Sequence, residues 1–173
     1  NGIGSDAFAI IWDGEQLVGL NGSGRAPEKW TLDYFSQYRS MPQFGWDSVT
    51  VPGAVSVWVA LSERYGKLDF KDLFEAGIRY AEEGFQVGSI TAFHWGDDPQ
   101  LYAEYPDFAE HFLPAPHAGQ RALRPDAGRT LQDIAATRGE SFYQGELADR
   151  MERAAIAGGG ALRKADLAAH HVD

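Results

Sequence analysis

Ala7-Phe8-Ala9-Ile10-Ile11-Trp12 is an unbroken apolar run of strand length, and such a run predicts a strand covered on both faces. Asp13-Gly14 follows as a turn signal, and Gln16 to Leu20 is apolar enough to pair back, so the chain opens on a β-hairpin. Beyond Leu20 the period lengthens. Trp30, Tyr34 and Phe35 fall at helical spacing through about Tyr38, and Pro27 suits a first helical turn, which predicts a helix from Pro27 onward. Ser48 to Val51 reads as extended, and Pro52-Gly53 leads into a helix with Val55, Trp58, Val59 and Ala60 inward, running to Tyr65 and stopped by Gly66. Asp69 is the predicted N-cap of a helix that buries Leu73, Phe74, Ile78 and Ala81 and ends at Gly84. Residues 89–126 carry Pro99, Pro106, Pro114, Pro116 and Pro125, a pattern of short helical turns joined by ordered loops. Thr130 is the expected cap of a helix ending near Gly139, Glu146 to Ala157 forms the next, and a last short helix starts around Lys164 after Gly158-Gly159-Gly160. The class is α/β in the broad sense (α+β), helix-rich with a β-hairpin near the N-terminus. A two-stranded hairpin is marginal in water, so the pattern calls for more strands than this stretch contains.

Composition narrows the partners. The 173 residues are 44% apolar and 23% charged, ordinary for a folded domain. The 25 acidic against 15 basic residues leave a net charge of −10, which repels phosphate backbones and anionic membrane surfaces and excludes nucleic-acid binding. No apolar stretch approaches the ~18 residues that a membrane span requires. Cysteine is absent, which removes disulfides, thiolate metal sites and cysteine nucleophiles and leaves the compartment open. The first residue is Asn1 rather than Met, as expected of a processed product or a piece of a longer chain.

The chemistry-bearing positions are few. Arg25 follows the glycine-rich loop Leu20-Asn21-Gly22-Ser23-Gly24, just ahead of the expected helix N-terminus. A guanidinium fork there suits a small carboxylate, bound by two charge-assisted hydrogen bonds and helped by the helix dipole. Gly2-x-Gly4-x-x-Ala7 fits the dinucleotide fingerprint in form, but it precedes a strand instead of leaving one for a helix, so it reads as a tight turn ordered by Asp6. A threonine nucleophile that uses its own α-amino group as base must open its chain, and Thr31, Thr50, Thr91, Thr130 and Thr137 do not. No G-x-S-x-G elbow occurs. His94, His111 and His117 lack helical metal-ligand spacing, and His170-His171 with Asp173 reads as a terminal cluster, so no metal or cofactor site is assigned.

Several short segments, in order and at consistent spacing, carry a family resemblance. They are the opening Asn1-Gly2-Ile3-Gly4-Ser5-Asp6, Asn21-Gly22-Ser23-Gly24-Arg25-Ala26-Pro27, Val51-Pro52-Gly53-Ala54-Val55, Arg64-Tyr65-Gly66-Lys67-Leu68, Ala81-Glu82-Glu83-Gly84-Phe85, Phe142-Tyr143-Gln144-Gly145 and Gly158-Gly159-Gly160-Ala161-Leu162. Together they resemble the large-subunit core of the γ-glutamyltransferase (γ-glutamyltranspeptidase) family. The resemblance implies part of an N-terminal nucleophile hydrolase fold, a four-layer αββα sandwich whose sheets take strands from two subunits. Residues 1–173 would be a single fragment of the large subunit, without its N-terminal helix region and without the small subunit. It implies a small catalytic subunit from the same precursor, opened by the threonine nucleophile, so this chain by itself is expected to be inactive. It further implies a small-molecule γ-glutamyl donor such as glutathione, and a periplasmic or secreted location, with the cytoplasm left open. Arg25 matches the arginine that grips the donor α-carboxylate, although many members have more residues between that arginine and Ala-Pro. Two other readings stay open: a related acylase acting on glutaryl amides or β-lactam side chains, and a non-catalytic binding domain of the same fold.

Overall fold

The computed structural model describes residues 2–96, 102 and 105–173. The chain forms two compact units, residues 1–73 with 132–173 and residues 74–131.

The first unit opens on β1 (Ala7–Trp12) paired antiparallel with β2 (Leu17–Gly22), in a register that sets Ala7 opposite Gly22 and Trp12 opposite Leu17. The Asp13 carboxylate shapes the turn by accepting from the backbone N–H groups of Glu15 at 2.8 Å and Gln16 at 2.9 Å. The expectation of a strand covered on both faces is corrected: Ala7 is buried, whereas Phe8, Ile10 and Trp12, on the opposite side, face solvent. Strand alternation explains the split, because successive side chains point to opposite faces and only one meets α2 (Ala54–Tyr65). Ala7, Ala54 and Val57 form that seam, with Trp58, Leu61 and Val172 packed against it.

The expected helix from Pro27 is reduced to one turn, α1 (Leu32–Phe35), capped by the Thr31 hydroxyl accepting from the Tyr34 N–H at 3.1 Å. Contacts from distant parts of the chain outcompete local periodicity here. Pro27 is fully buried, the Glu28 N–H donates to Asp166 at 2.8 Å, and the Tyr34 and Tyr38 hydroxyls both donate to Asp47, at 2.7 and 2.5 Å. The aromatic spacing serves this local cluster, in which Trp30 and Tyr34 each stand edge-on to Phe35 at 5.2 Å.

The helices after Asp133 build the main core. Gly139, with a left-handed φ of 80°, separates the helix that ends at Thr137 from the one that opens at Glu140, and in chain order the second unit lies between the two stretches of the first. That second unit holds α3 (Glu75–Glu83), β3 (Phe85–Gln86), α4 (Ser89–Trp95), α5 (Pro106–Phe112) and β4 (Arg121–Ala122), with β3 and β4 paired antiparallel. A single 3₁₀ segment, Phe70–Phe74, precedes α3 in place of the expected helix from Asp69, and Leu73 is exposed, not inward. The indole N–H of Trp95 donates to the Phe112 carbonyl at 2.9 Å, and Phe108 stacks on Phe112 at 4.9 Å. Pro99, one of the expected loop prolines, lies outside the described residues.

α6 (Pro125–Thr137) starts at its proline, so Thr130 lies inside it and back-bonds to the Asp126 carbonyl at 3.0 Å instead of capping. In the first unit α7 (Glu140–Tyr143), α8 (Glu146–Ala157) and α9 (Lys164–Ala168) follow. Val51, Ala148, Ala155, Leu162 and Leu167 form a core at 0–2% exposure, flanked by Trp46, Tyr143 and Met151. The glycine run after α8 has a steric cause. A Cβ on Gly158 would lie 2.1 Å from the Trp46 indole nitrogen, so only a bare backbone lets that ring close over the core. Among the described residues no helix is long and apolar enough to cross a membrane.

Candidate functional site

The loop from Asn21 to Arg25 is pinned to the rest of the first unit at several points. The Asp6 carboxylate accepts from the Gly24 N–H at 3.0 Å, and the Val51 N–H donates to the Arg25 carbonyl at 3.0 Å. Asn21 and Asp173 exchange two backbone hydrogen bonds, 2.8 and 3.1 Å, so the C-terminal segment lies alongside β2 like one residue pair of a third strand. Gly24 is required by contact: a Cβ there would sit 1.5 Å from the Val51 carbonyl oxygen. These constraints fix the backbone of Arg25 while its side chain stays in solvent.

Among the described residues the Arg25 guanidinium has one hydrogen-bond partner, His171, with Nη2 at 2.7 Å from Nε2. Arginine has only N–H donors, so Nε2 of His171 is the acceptor and the ring is neutral there, with Nδ1 left to face the Ala169 carbonyl at 3.4 Å. Asp173 Oδ1 stands 3.2 Å from the same Nε2. His170 turns the other way, stacking on the Tyr143 ring at 5.4 Å with its Nε2 at 2.9 Å from the Ser56 hydroxyl. Ser56 gives its own proton to the Gly53 carbonyl at 2.6 Å, so its oxygen accepts from His170, and the buried Nδ1 of His170 is left without a partner. Burial holds His170 below the ordinary histidine value, in keeping with this neutral tautomer. Ser56 and His170 are therefore not a nucleophile and base: the histidine donates, and the serine proton is already committed.

Arg25 keeps the place in the loop that the sequence predicts, but the helix dipole expected behind it is absent. The next helix along the chain, α1, begins at Leu32 and is four residues long. Of His170, His171 and Asp173, read from sequence as a terminal cluster, His171 is brought against Arg25 and Asp173 against His171. No local spacing signals this, since 146 positions separate Arg25 from His171. The threonine hydroxyls have structural duties where their bonds are seen: Thr31 caps α1, and Thr130 and Thr137 bond to carbonyls one turn back. Gly2 to Ser5 forms a tight turn, closed by the Ser5 N–H on the Gly2 carbonyl at 3.1 Å, and leads into a strand. His94, His111 and His117 join no metal-binding group, and no cluster of three or more metal-ligating side chains exists among the described residues.

Comparison with known proteins settles the family. The family model for gamma-glutamyltranspeptidase matches residues 1–173. The chain belongs to the γ-glutamyltranspeptidase family. It is similar to the glutathione hydrolase-like YwrD proenzyme of Bacillus subtilis, 33% identical over 87% of this chain and 30% of that protein. Against the oxamate amidohydrolase proenzyme of Klebsiella pneumoniae the identity is 32%, over 98% of this chain and 34% of the relative. Among solved structures it superposes on cephalosporin acylase from Bacillus halodurans with a TM-score of 0.94 at 39% identity, covering 100% of this chain and 34% of that one. Helicobacter pylori gamma-glutamyltranspeptidase gives 0.92 at 26% identity, covering 99% and 52%. The chain thus spans about a third of the length of these curated relatives, and it carries the large-subunit portion of the family's N-terminal nucleophile hydrolase fold, as its sequence led us to expect. Within this γ-glutamyltranspeptidase-family portion the hairpin shows one face to solvent.

Proposed function

We propose that the complete protein transfers or hydrolyses γ-glutamyl groups of glutathione and related amides, and that residues 1–173 are a single stretch of its large subunit whose Arg25 binds the donor α-carboxylate. The family match over residues 1–173 carries the reading, and the pinned loop that offers the Arg25 guanidinium to solvent supports the role of that residue. The nucleophile is the threonine that opens a small subunit cut from the same precursor. Its hydroxyl oxygen attacks the γ-carbonyl carbon, and its α-amino group takes the proton and passes it to the leaving amine as the C–N bond breaks. Water or an amino-acid amine then cleaves the ester to free the threonine. Two of the guanidinium N–H groups hold the carboxylate, fixing the donor so that attack is effectively unimolecular.

The similarity to cephalosporin acylase at 39% identity favours a second reading, an acylase acting on glutaryl amides, which lack the α-amino group. The purified product of the whole gene tests both. Two fragments by intact mass, the smaller beginning with threonine, together with faster turnover of γ-glutamyl anilide than of glutaryl anilide, are expected. Preference for glutaryl anilide would select the acylase, and a single uncut chain without turnover would select a binding domain of the same fold.

A further inference from the structure

We infer that His171 is a positioning residue for Arg25: its neutral Nε2 accepts one guanidinium N–H and aims the remaining fork at the donor carboxylate, and its protonation hands Nε2 to Asp173 and lets Arg25 go. The inference rests on the reading of Arg25 as the carboxylate ligand. The geometry that carries it is a three-body contest at one nitrogen. Arg25 Nη2 at 2.7 Å requires a lone pair on Nε2, whereas Asp173 Oδ1 at 3.2 Å requires a proton there. One atom cannot meet both demands, so the protonation state of His171 decides which neighbour it holds. An imidazolium beside a guanidinium is repelled by it and attracted to the carboxylate, so both terms favour the same change.

The backbone around this contest does not follow the side chains. Arg25 is held through its carbonyl by Val51, and Asp173 is locked to Asn21 by two backbone bonds. The switch therefore reduces to side-chain rotation about fixed anchors. The charged and titratable groups that face His171 or its neighbour are few. Among the described residues they are Arg25 from the loop after β2, Asp173 and His170 from the same C-terminal segment, Asp6 from the turn before β1, whose charge acts on His170, and Tyr143 of α7, whose ring stacks on His170. Asp6 itself is engaged with the Gly24 N–H. His170 is turned into the Tyr143 and Ser56 contacts and does not compete for Arg25.

The test uses the complete, processed protein with γ-glutamyl anilide and with 4-aminobutanoyl anilide, which lacks the α-carboxylate. The quantity read is the ratio of their KM values as a function of pH, which cancels titration of the nucleophile. For the wild type this ratio is expected to rise on acidification. His171→Ala raises it about tenfold at neutral pH, the scale of one hydrogen bond to a charged group, and removes the pH dependence. His171→Gln offers an amide oxygen near the place of Nε2 without titrating, and is expected to restore the neutral-pH ratio and keep it flat into acid. If both variants match the wild type at every pH while Arg25→Ala raises the ratio, the positioning role is wrong and the Arg25 reading stands. If His171→Gln fails to restore the ratio, the acceptor role is overturned. If Arg25→Ala leaves the ratio unchanged, the carboxylate reading falls and takes this inference with it.

Discussion

Two parts of the first compact unit close their surfaces differently. Where α8 and α9 meet the Val51 segment, Val51, Ala148, Ala155, Leu162 and Leu167 are at most 2% exposed, and Trp46 seals them over bare glycine backbone. On the front hairpin Phe8, Ile10, Trp12 and Leu17 are 66, 78, 63 and 68% exposed, and the register sets Trp12 directly across from Leu17. The helical core is completed by residues of this chain. The hairpin uses one face on α2 and lines Phe8, Ile10 and Trp12 along the other, an apolar strip and not scattered single residues. The difference separates a core that residues of this chain close from a face that they leave in solvent.

Leu167→Ala tests the closed side and should have the largest effect. Leu167 is 0% exposed in a packed core, so truncation costs about 3 kcal/mol through lost transfer energy and a residual cavity. Denaturant unfolding of the complete protein measures it, and a loss below about 1 kcal/mol would mean that the core can collapse around the gap. Ile10→Ala tests the open side in the same protein. Ile10 is 78% exposed here, and a residue that stayed so would tolerate the change within about 0.5 kcal/mol. Covered by neighbouring strands, it should cost about 2 kcal/mol. The larger value is expected, and the smaller would leave the hairpin strip unpaired in the whole molecule.

His170 sharpens the comparison at the seam between the two parts. Burial holds its folded-state value below the ordinary 6.5, so below that pH the unfolded chain takes up a proton that the folded chain refuses. Stability is therefore fully present above 6.5, declines as the pH falls, and stops declining below the folded-state value. His170→Gln keeps an N–H for Ser56 and does not titrate, so it should flatten that acid decline. An unchanged slope of unfolding free energy against pH would assign the decline to another group.

The parts legible in the sequence are those whose signal is local. α2 and α8 begin and end, and α9 begins, where periodicity and glycine stops place them, since each buries one stripe against a nearby partner. The hairpin is equally plain, apart from its open face, because a continuous apolar run does not say which of its two faces a partner covers. What misled was long-range. The aromatic spacing after Pro27 looks helical, yet Asp47 and Asp166 draw those residues into a cluster. β3 and β4 are two residues each, too short for any period to register. At the candidate site the glycine loop and Arg25 are readable, but His171 and Asp173 come from the far end of the chain, and only folding sets His171 beside the guanidinium with Asp173 against it.

The smallest effect is expected from Tyr34, whose contact with Asp47 lies outside both cores. The hydrogen bond to the Asp47 carboxylate, then desolvation, pushes its phenol from 10.0 up to about 12. Because the neutral phenol is the form that donates, this contribution is fully present below pH 10 and is lost as the pH rises towards 12. Tyr34→Phe should thus change little at neutral pH, since the group is near solvent and Tyr38 still donates to Asp47 at 2.5 Å. It should instead reduce the fall in the denaturation midpoint between about pH 10 and pH 12, where the lost proton matters. A mutant curve parallel to the wild type across that window would mean that Tyr38 carries the alkaline sensitivity, whose phenol the same carboxylate also raises.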